Sequence, residues 1–447
     1  MTCRTPRDLP SVGKLLESND FRTLSDEHGE FLVKSAVREA LEGARVRLLQ
    51  GKTVELEDLH QRVVTLLAPA QQRVLNLTGT ILHTNLGRAP LGDLLSSVGE
   101  RLQGYSVLEY DLETGKRGKR GEAVERLLRW VTGAEAAVMV NNCSAAMVLL
   151  LTVLAKGKEV IVSRGELVEI GGSFRIPDIL SLSGATLREV GTTNRTRIGD
   201  FERAINEETG LILSTHRSNF EIVGFTESPT VEEYVALGKA HNLPVVFDLG
   251  SGMITRVVNG EPSVGDSKDF SLTAFSGDKL LGGPQCGILV GKKEYIQACR
   301  RHPFYRAFRC DKLTLALMEE ALRRHASDPR RVPTVELLTE PVEHLRARAR
   351  TLAELLITLL PETMKVDVVD TEAQVGGGSL PGGIVPSVAV QVTPPDEAEV
   401  HHWQKRFRKA SPPIITRIEK GSLYLDLRSL PSADDEELSE VCRRNFT

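Results

Sequence analysis

The stretch that decides the fold is SLTAFSGDKLLGGPQCGILVG, residues 271–291. An apolar run predicted to be a strand ends at Ser276, and a Gly-Asp-Lys turn, a Gly-Gly-Pro turn and a second apolar run follow it. Glycines let the backbone approach a ligand closely, and a partly buried Lys279 would have the lowered pKa that an imine-forming amine needs. A single loop lysine is more often simply solvated, so the neighbouring segments must decide between these interpretations.

One predicted strand earlier, LPVVFDLGSG (243–252) places Asp248 at the end of an apolar run. A carboxylate at the end of a buried strand is costly unless it meets a cation or several hydrogen-bond donors. Taken alone, Asp248 could equally cap a helix or bind a metal ion.

A third segment, AAVMVNNCSAAMVLL (136–150), is predicted to be a strand, a polar turn and the start of a helix. The free N–H groups at Cys143 and Ser144 could bind a phosphate, although an ordinary turn has the same pattern. A phosphate seat, an acid for a pyridinium nitrogen and an imine-forming lysine are together the parts of a pyridoxal-phosphate (PLP) enzyme. Ser276 and His216, which also end predicted strands, are further candidate cofactor contacts, and a structural role for His216 stays open.

Short apolar runs alternate with amphipathic helical patterns from Val74 onward, which is typical of a parallel sheet with helices on both faces. We therefore predict an α/β fold with a mainly parallel sheet. The pattern predicts three domains: an N-terminal helical module (1–67), a large cofactor-binding domain (68–325) and a small C-terminal α+β domain (326–447).

Composition excludes several classes of protein. The 447 residues are 41% hydrophobic and 26% charged, with a net charge of −4, which is ordinary for a soluble globular protein. We expect neither a membrane span nor a secretion leader. Six scattered cysteines without a CxxC pair predict reduced thiols in the cytoplasm and no metal site. The absence of a general basic field argues against DNA as a partner.

Two further features leave alternatives open. The helical module has nearly equal numbers of acidic and basic residues, so composition favours RNA binding no more than packing or dimerisation. The other feature is a set of cations: His83 and Arg88 lie in a glycine-rich segment, and Arg306 and Arg309 would share one face if their segment is helical. Arginines suit phosphate-like oxyanions, but surface ion pairs would explain either pair.

At these residues the sequence resembles the selenocysteine synthase (L-seryl-tRNA(Sec) selenium transferase) family of fold type I PLP enzymes. The resemblance runs from near the N-terminus to near the C-terminus. It is carried by LPSVGKLLES (9–18), NLTGTILHTNLGRAPL (76–91), SRGELVEIGGSFRIPDIL (163–180), SNFEIVGFTE (218–227), SGDKLLGGPQCGI (276–288), RAFRCDKLTLALMEE (306–320) and PPIITRIEKGSLYLDLR (412–428). The turn at 141–144 departs from the family pattern, because Asn-Asn-Cys-Ser stands where a third asparagine is expected.

The resemblance implies roles for particular residues. Lys279 carries PLP, Asp278 belongs to the active site, and Arg88, Arg306 and Arg309 hold the phosphate of selenophosphate. The implied reaction converts L-seryl-tRNA(Sec) to L-selenocysteinyl-tRNA(Sec) by β-elimination to a dehydroalanyl intermediate and addition of selenium. The N-terminal module would bind the tRNA, and the chain would form a ring-like homo-oligomer, a decamer, with active sites at subunit interfaces.

Two alternative functions remain at this point. One is a PLP-dependent ammonia-lyase or eliminase that acts on a small phosphorylated substrate, for which the helical module would be superfluous. The other is a tRNA-binding scaffold that has lost catalysis, against which the presence of Asp248 and Lys279 counts.

Overall fold

The structure is a computed structural model that describes residues 2–170, 174–380 and 382–446. The chain divides into two compact units, with the boundary between Arg73 and Val74. None of the described helices is long and apolar enough to cross a bilayer.

The N-terminal unit is helical, as its apolar repeat predicts. Its helices are α1 (Val12–Leu16), α2 (Asn19–His28), α3 (Glu30–Leu49) and α4 (Leu56–Leu67), and its strands β1 (Thr2–Cys3) and β2 (Val54–Glu55) pair antiparallel. Helix α3 buries one apolar face, on which Val33, Val37 and Leu41 recur at intervals of four residues. The opposite face of α3 is exposed and carries both basic and acidic side chains.

The second unit begins with short strands and contains two main sheets. Its strands are β3 (Leu75–Leu77), β4 (Thr80–Leu82), β5 (Ala136–Val140), β6 (Glu159–Ser163), β7 (Glu169–Ile170), β8 (Phe174–Arg175), β9 (Thr186–Val190), β10 (Thr209–Thr215), β11 (Val245–Gly250), β12 (Leu272–Ser276), β13 (Gly287–Gly291), β14 (Lys365–Gly376), β15 (Ile384–Thr393), β16 (Ile414–Glu419) and β17 (Ser422–Asp426).

Helices alternate with most of these strands. They are α5 (Leu94–Gln103), α6 (Glu122–Thr132), α7 (Cys143–Ala155), α8 (Ile176–Ser183), α9 (Ile198–Ala204), α10 (Val231–His241), α11 (Lys293–Arg301), α12 (Pro303–Ala307), α13 (Lys312–Ser327), α14 (Pro333–Thr339), α15 (Val342–Leu359), α16 (Val400–Arg408) and α17 (Asp435–Phe446).

The larger sheet has seven strands in the order β5-β13-β12-β11-β10-β6-β9. Strands β12, β11, β10, β6 and β9 run parallel, whereas β13 is antiparallel to both of its neighbours. Helices α7 and α8 pack on one face, and α6 and α13 pack on the other. The predicted α/β class with a mainly parallel sheet is therefore confirmed. Its central strands are buried on both faces, which explains why their sequences show no polar alternation.

The smaller sheet has six strands in the order β3-β16-β17-β15-β14-β4. Most of it comes from the C-terminal third of the chain, and α15, α16 and α17 contribute to its apolar core. Strands β3 and β4 are the exception, because they come from residues 75–82 and form the two edges of this sheet. The alternating pattern after Val74 gave no indication that these two strands pair with C-terminal partners.

Candidate active site

A cavity of about 340 Å³ opens at the carboxyl end of the central parallel strands. Strands β10, β11 and β12 each contribute a residue from their final positions, and the first turn of α7 adds two more. Open α/β sheets bind ligands at this edge because strand ends and helix N-termini converge there. The lining residues include Arg88, Asn142, Cys143, Ser144, Thr215, His216, Ser218, Asp248, Gly250, Ser276, Asp278, Lys279 and Gln285.

Lys279 is buried beside this cavity, with 4% of its surface exposed. Burial lowers the pKa of its amine, because the charged form loses hydration there. The amine Nζ donates a hydrogen bond to the carbonyl oxygen of Gly378 at 3.4 Å. An amine with a lowered pKa is a better nucleophile and base near neutral pH, as an imine-forming lysine must be.

Asp248 lies in β11, two residues before the end of the strand, and lines the same cavity. It is also almost fully buried. Burial raises the pKa of its carboxyl group to about 6, although the positive charges of Lys279 and His216 oppose the shift. The carboxyl group makes no hydrogen bond with the described residues. It is therefore able to accept one from a ligand.

The first turn of α7 presents unpaired backbone donors to the cavity. Asn142 caps the helix, and its side-chain oxygen accepts from the N–H of Ala145 at 2.8 Å. In the described part of the chain, the N–H groups of Cys143 and Ser144 have no hydrogen-bond partner, which leaves them available to an anion. Burial raises the pKa of the Cys143 thiol to about 12, so the thiol adds no negative charge to this anion seat.

His216 follows β10 and lines the cavity. Its backbone N–H donates to the carbonyl oxygen of Asp248 at 2.9 Å, and its ring Nε2 lies 3.1 Å from Oε2 of Glu261. A carboxylate only accepts, so Nε2 carries the proton of this hydrogen bond. These two hydrogen bonds hold the His216 ring in place at the cavity, close to Asp248.

Arg88 and Asp278 form an ion pair within the cavity. Arg88 Nη1 donates to Oδ2 of Asp278 at 2.8 Å, and the N–H of Ala89 donates to the carbonyl oxygen of Asp278 at 3.2 Å. Arg88 has a φ of 63°, an unusual backbone conformation for a residue with a side chain. The turn that imposes this conformation places Arg88 next to Asp278, the residue that precedes Lys279.

The structure does not bring Arg306 and Arg309 into this cavity within a single chain. Helix α12 ends at Ala307, so the continuous helix that would put both residues on one face is not formed. Arg309 lies 3.5 Å from a carboxylate oxygen of Glu109, while Arg306 is exposed and has no ion pair with the described residues. Their role as ligands for an oxyanion stays a prediction.

Several residues at the site were not predicted from the sequence. Glu166, whose pKa is raised to about 7 by burial, accepts from the backbone N–H of Thr215 at 2.9 Å. Glu261 and Gly378 contact His216 and Lys279 from distant loops. Glu166 lies in segment 163–180, one of the motifs that carry the family resemblance, so that motif could have pointed to it. Glu261 and Gly378 have no periodic or strand-end signal that could have revealed them.

The residues present fit PLP. Among the residues that the structure describes, the cavity combines a buried amine, a buried acid that makes no hydrogen bond and two N–H groups that have no acceptor. Thr215 Oγ1 is also buried there without a partner from the described residues. A Cβ atom on Gly250 or Gly378 would lie 3.7 or 3.8 Å from Lys279 Nζ, at ordinary van der Waals distance, so both glycines lie directly beside the amine. Among the described residues no cluster suited to a metal ion was found.

This fold and this site define a PLP-dependent enzyme of fold type I. A solved structure with a similar fold is that of D-glucosaminate-6-phosphate ammonia-lyase, with a TM-score of 0.57 and 19% identity over 84% of this chain and 97% of that one. At that identity the likeness concerns the fold alone.

Sequence comparison identifies the family. Residues 74–431 match the family L-seryl-tRNA selenium transferase, and residues 6–45 match the selenocysteine synthase N-terminal family. The L-seryl-tRNA(Sec) selenium transferase of Geobacter sulfurreducens is 44% identical over 445 residues, which cover 95% of this chain and 96% of that protein. The enzyme of the same name from Aquifex aeolicus is 42% identical over 437 residues and 95% of each chain. The chain belongs to the L-seryl-tRNA selenium transferase family, as its sequence motifs predict.

Proposed function

We propose that this chain converts L-seryl-tRNA(Sec) to L-selenocysteinyl-tRNA(Sec) with PLP as its cofactor. The observation that carries the proposal is the buried Lys279 amine, which shares a cavity with Asp248 in a chain related to named selenium transferases along nearly its whole length. Family membership favours this activity over both a lyase for small phosphorylated substrates and a non-catalytic scaffold.

The cofactor would be held by residues of the cavity. Lys279 would bind it covalently, Asp248 would accept a hydrogen bond from its ring nitrogen, and the free N–H groups of Cys143 and Ser144 would bind its phosphate. His216 and Ser276 would contact it from the ends of β10 and β12. When bound, PLP withdraws electrons from bonds at the α-carbon of an amino acid.

Proton transfer falls to Lys279. Its lowered pKa favours the neutral amine, which can remove the α proton of the seryl group and later return a proton to the same carbon. Asp248 keeps a negative charge above a pH of about 6, as a partner for a protonated ring nitrogen requires. The β-hydroxyl group would leave as water and give a dehydroalanyl group. The selenium of selenophosphate would add to its β-carbon, and water would break the Se–P bond and release phosphate.

Selenophosphate is the proposed selenium donor, and arginines would bind its phosphate. Arg88 already faces the cavity, while the exposed position of Arg306 suits a residue that completes the site of a neighbouring subunit. We propose that Arg306 and Arg309 act in this way within a ring-like homo-oligomer, a decamer. In that assembly each site would draw its arginines from two chains.

We further propose that residues 1–67 bind the tRNA, while 68–325 hold the cofactor and 326–447 form the small domain. The match of residues 6–45 to the selenocysteine synthase N-terminal family supports the first assignment. Helix α3 also exposes Arg38, Arg45 and Arg47, which could contact RNA phosphates. The six free cysteines support a reducing, cytoplasmic location.

The test is incubation with serylated tRNA(Sec) and selenophosphate, followed by analysis of the amino acid esterified to the tRNA. The wild-type protein should yield selenocysteine, and Lys279→Ala should leave serine unchanged. Lys268→Ala, which changes an exposed lysine between β11 and β12, is the matched control and should retain activity. Turnover by Lys279→Ala would contradict the proposal. Unchanged serine with wild-type protein would indicate a scaffold if the tRNA binds, and a lyase if it does not.

A further inference from the structure

A buried glutamate outside the predicted site joins two parts of the cavity wall. Glu261 lies in the loop between β11 and β12, and its side chain is fully buried. Its Oε2 atom accepts both from Nε2 of His216 and from the backbone N–H of Leu380, each at 3.1 Å. Its Oε1 atom is buried without a partner among the described residues. One carboxylate oxygen therefore joins the end of β10 to a loop of the smaller sheet.

That loop follows β14 and has an unusual backbone. Gly376, Gly377 and Gly378 have φ values of 76°, 64° and 70°, and Leu380 has a φ of 50° although it carries a side chain. A leucine in this region is strained and keeps the conformation only where neighbouring contacts impose it. The N–H of Leu380 makes such a contact with Glu261.

The same loop reaches the proposed cofactor lysine. The carbonyl oxygen of Gly378 accepts from Lys279 Nζ, two residues before the N–H that Glu261 binds. A shift of the loop would therefore move the acceptor of the Lys279 amine. Loss of the Glu261 carboxylate would also free the His216 ring, so both effects depend on one oxygen atom.

We propose that Glu261 is a positioning residue of the cofactor site, which fixes the His216 ring and holds the loop 376–380 over Lys279. It acts through these groups and touches neither substrate nor cofactor. The inference rests on the proposed function in taking the cavity as the PLP site. The hydrogen bonds that carry it belong to the protein without its cofactor.

Three variants separate hydrogen bonding from charge and from packing. Glu261→Gln keeps an oxygen that can accept from both donors but removes the charge. Glu261→Leu removes both hydrogen bonds while filling similar space, and Glu261→Asp withdraws the carboxylate by one methylene. The matched control is Glu207→Leu, which changes an exposed carboxylate in the loop before β10.

The first measurement is hydrogen–deuterium exchange of the peptide spanning residues 376–383 in the cofactor-free protein. Loss of a buried hydrogen bond to a carboxylate should speed exchange in Glu261→Leu by about tenfold or more. Glu261→Gln and the Glu207→Leu control should stay within about threefold of wild type on the same reasoning. If circular dichroism shows that Glu261→Leu is unfolded, Glu261→Asp takes its place with the same expectation.

The second measurement is the dissociation constant of PLP, with borohydride reduction and peptide mass analysis to locate the modified lysine. Glu261→Leu should weaken PLP binding by about tenfold, and Glu261→Gln should restore most of the affinity. Unchanged exchange and affinity in Glu261→Leu would overturn the proposal, as would equal loss in the leucine and glutamine variants. Failure of wild-type protein to bind PLP at Lys279 would instead overturn the proposed function. Faster exchange with unchanged PLP affinity would also overturn the proposal, because Glu261 would then order the loop without affecting the cofactor site. That result would leave the proposed function intact.

Discussion

The buried charged side chains beside the smaller sheet and those at the edge of the larger sheet differ in how their charges are paired. Beside the smaller sheet, Arg348 is 8% exposed and donates to Glu340 at 2.9 Å and to Asp435 at 2.7 and 2.8 Å. At the edge of the larger sheet, Lys279 is 4% exposed and has one 3.4 Å hydrogen bond to a carbonyl. Asp248, in the same cavity, has no side-chain hydrogen bond with the described residues.

The pKa shifts follow this difference. Burial alone would lower the pKa of Arg348, but the hydrogen bonds and charges of Asp435 and Glu340 outweigh burial and raise it. Burial prevails at the cavity, where it lowers the pKa of Lys279 and raises that of Asp248. Fully paired buried charges serve the structure, whereas incompletely paired ones beside a cavity are prepared for a ligand. The comparison can be tested by substitution in both regions.

The largest effect is expected at Arg348. Arg348→Ala leaves the buried carboxylate of Glu340 and the partly exposed carboxylate of Asp435 without this cation. It should lower the free energy of unfolding by about 3–5 kcal/mol. Chemical denaturation at a fixed protein concentration measures this change. The control is Arg350→Ala, an exposed arginine two positions along α15, which should cost less than about 0.5 kcal/mol. Equal losses in the two variants would show that pairing does not distinguish the buried arginine.

A smaller effect is expected from the titration of Asp248. Its folded pKa of about 6 lies above the usual 3.8, so the protonated form stabilises the fold at low pH and this stabilisation is lost as pH rises. Asp248→Asn cannot ionise, so its stability relative to wild type should increase by about 2 kcal/mol between about pH 4.5 and 7.5. Denaturation of both cofactor-free proteins across this range provides the measurement. A difference independent of pH would mean that burial does not perturb this carboxyl group.

Replacement of Lys279 should change the stability of the protein in the opposite direction to replacement of Arg348. Lys279→Met removes a buried amine that has no hydrogen bond to a carboxylate of the described residues. It should raise the stability of the cofactor-free protein by about 1–2 kcal/mol. It should also abolish covalent PLP binding. Thermal unfolding of the cofactor-free variant, with the exposed Lys268→Met as control, checks the sign. If Lys279→Met is less stable than wild type, the hydrogen bond to the Gly378 carbonyl would outweigh the cost of burying the amine.

The smallest effect is expected for an exposed ion pair. Arg323 contacts Glu319 one turn earlier on α13 at 2.7 Å, and more than half of the Arg323 side chain is exposed. Solvent and salt screen such pairs, so Arg323→Ala should change the free energy of unfolding by less than about 0.5 kcal/mol. Denaturant titration measures the change. A loss of stability close to that of Arg348→Ala would show that burial does not determine how much an ion pair stabilises this protein.

Local sequence signals predicted much of the larger sheet. Apolar runs with no polar alternation marked strands that are buried on both faces, and polar residues directly after those runs marked the cavity edge. Asp248, Lys279, Cys143, Ser144 and His216 were found in this way, and they line one cavity. The family motifs predicted the fold type, cofactor and reaction, which family membership and the fold confirm. The individual residue roles and the domain limits remain predictions.

The contacts that local signals could not predict join distant segments. Strands β3 and β4 form the edges of a sheet whose other strands come from the C-terminal third of the chain. Glu261 and Leu380 are likewise brought together from loops more than a hundred residues apart. Their partners depend on how the two sheets pack, and no period or spacing along the chain encodes that.

Local patterns and family motifs along the chain were enough to predict the α/β class, the family and the chemical types at the cavity, because strand periodicity, strand-end residues and motifs are properties of short segments. Only the tertiary structure decided how these groups are paired. It placed Arg88 against Asp278 and kept Arg306 and Arg309 away from the cavity within one chain. It also left Asp248 without a hydrogen bond from any residue that the structure describes. The physical reason is that burial and pairing set the pKa and availability of a charged group, and both depend on neighbours from distant parts of the chain.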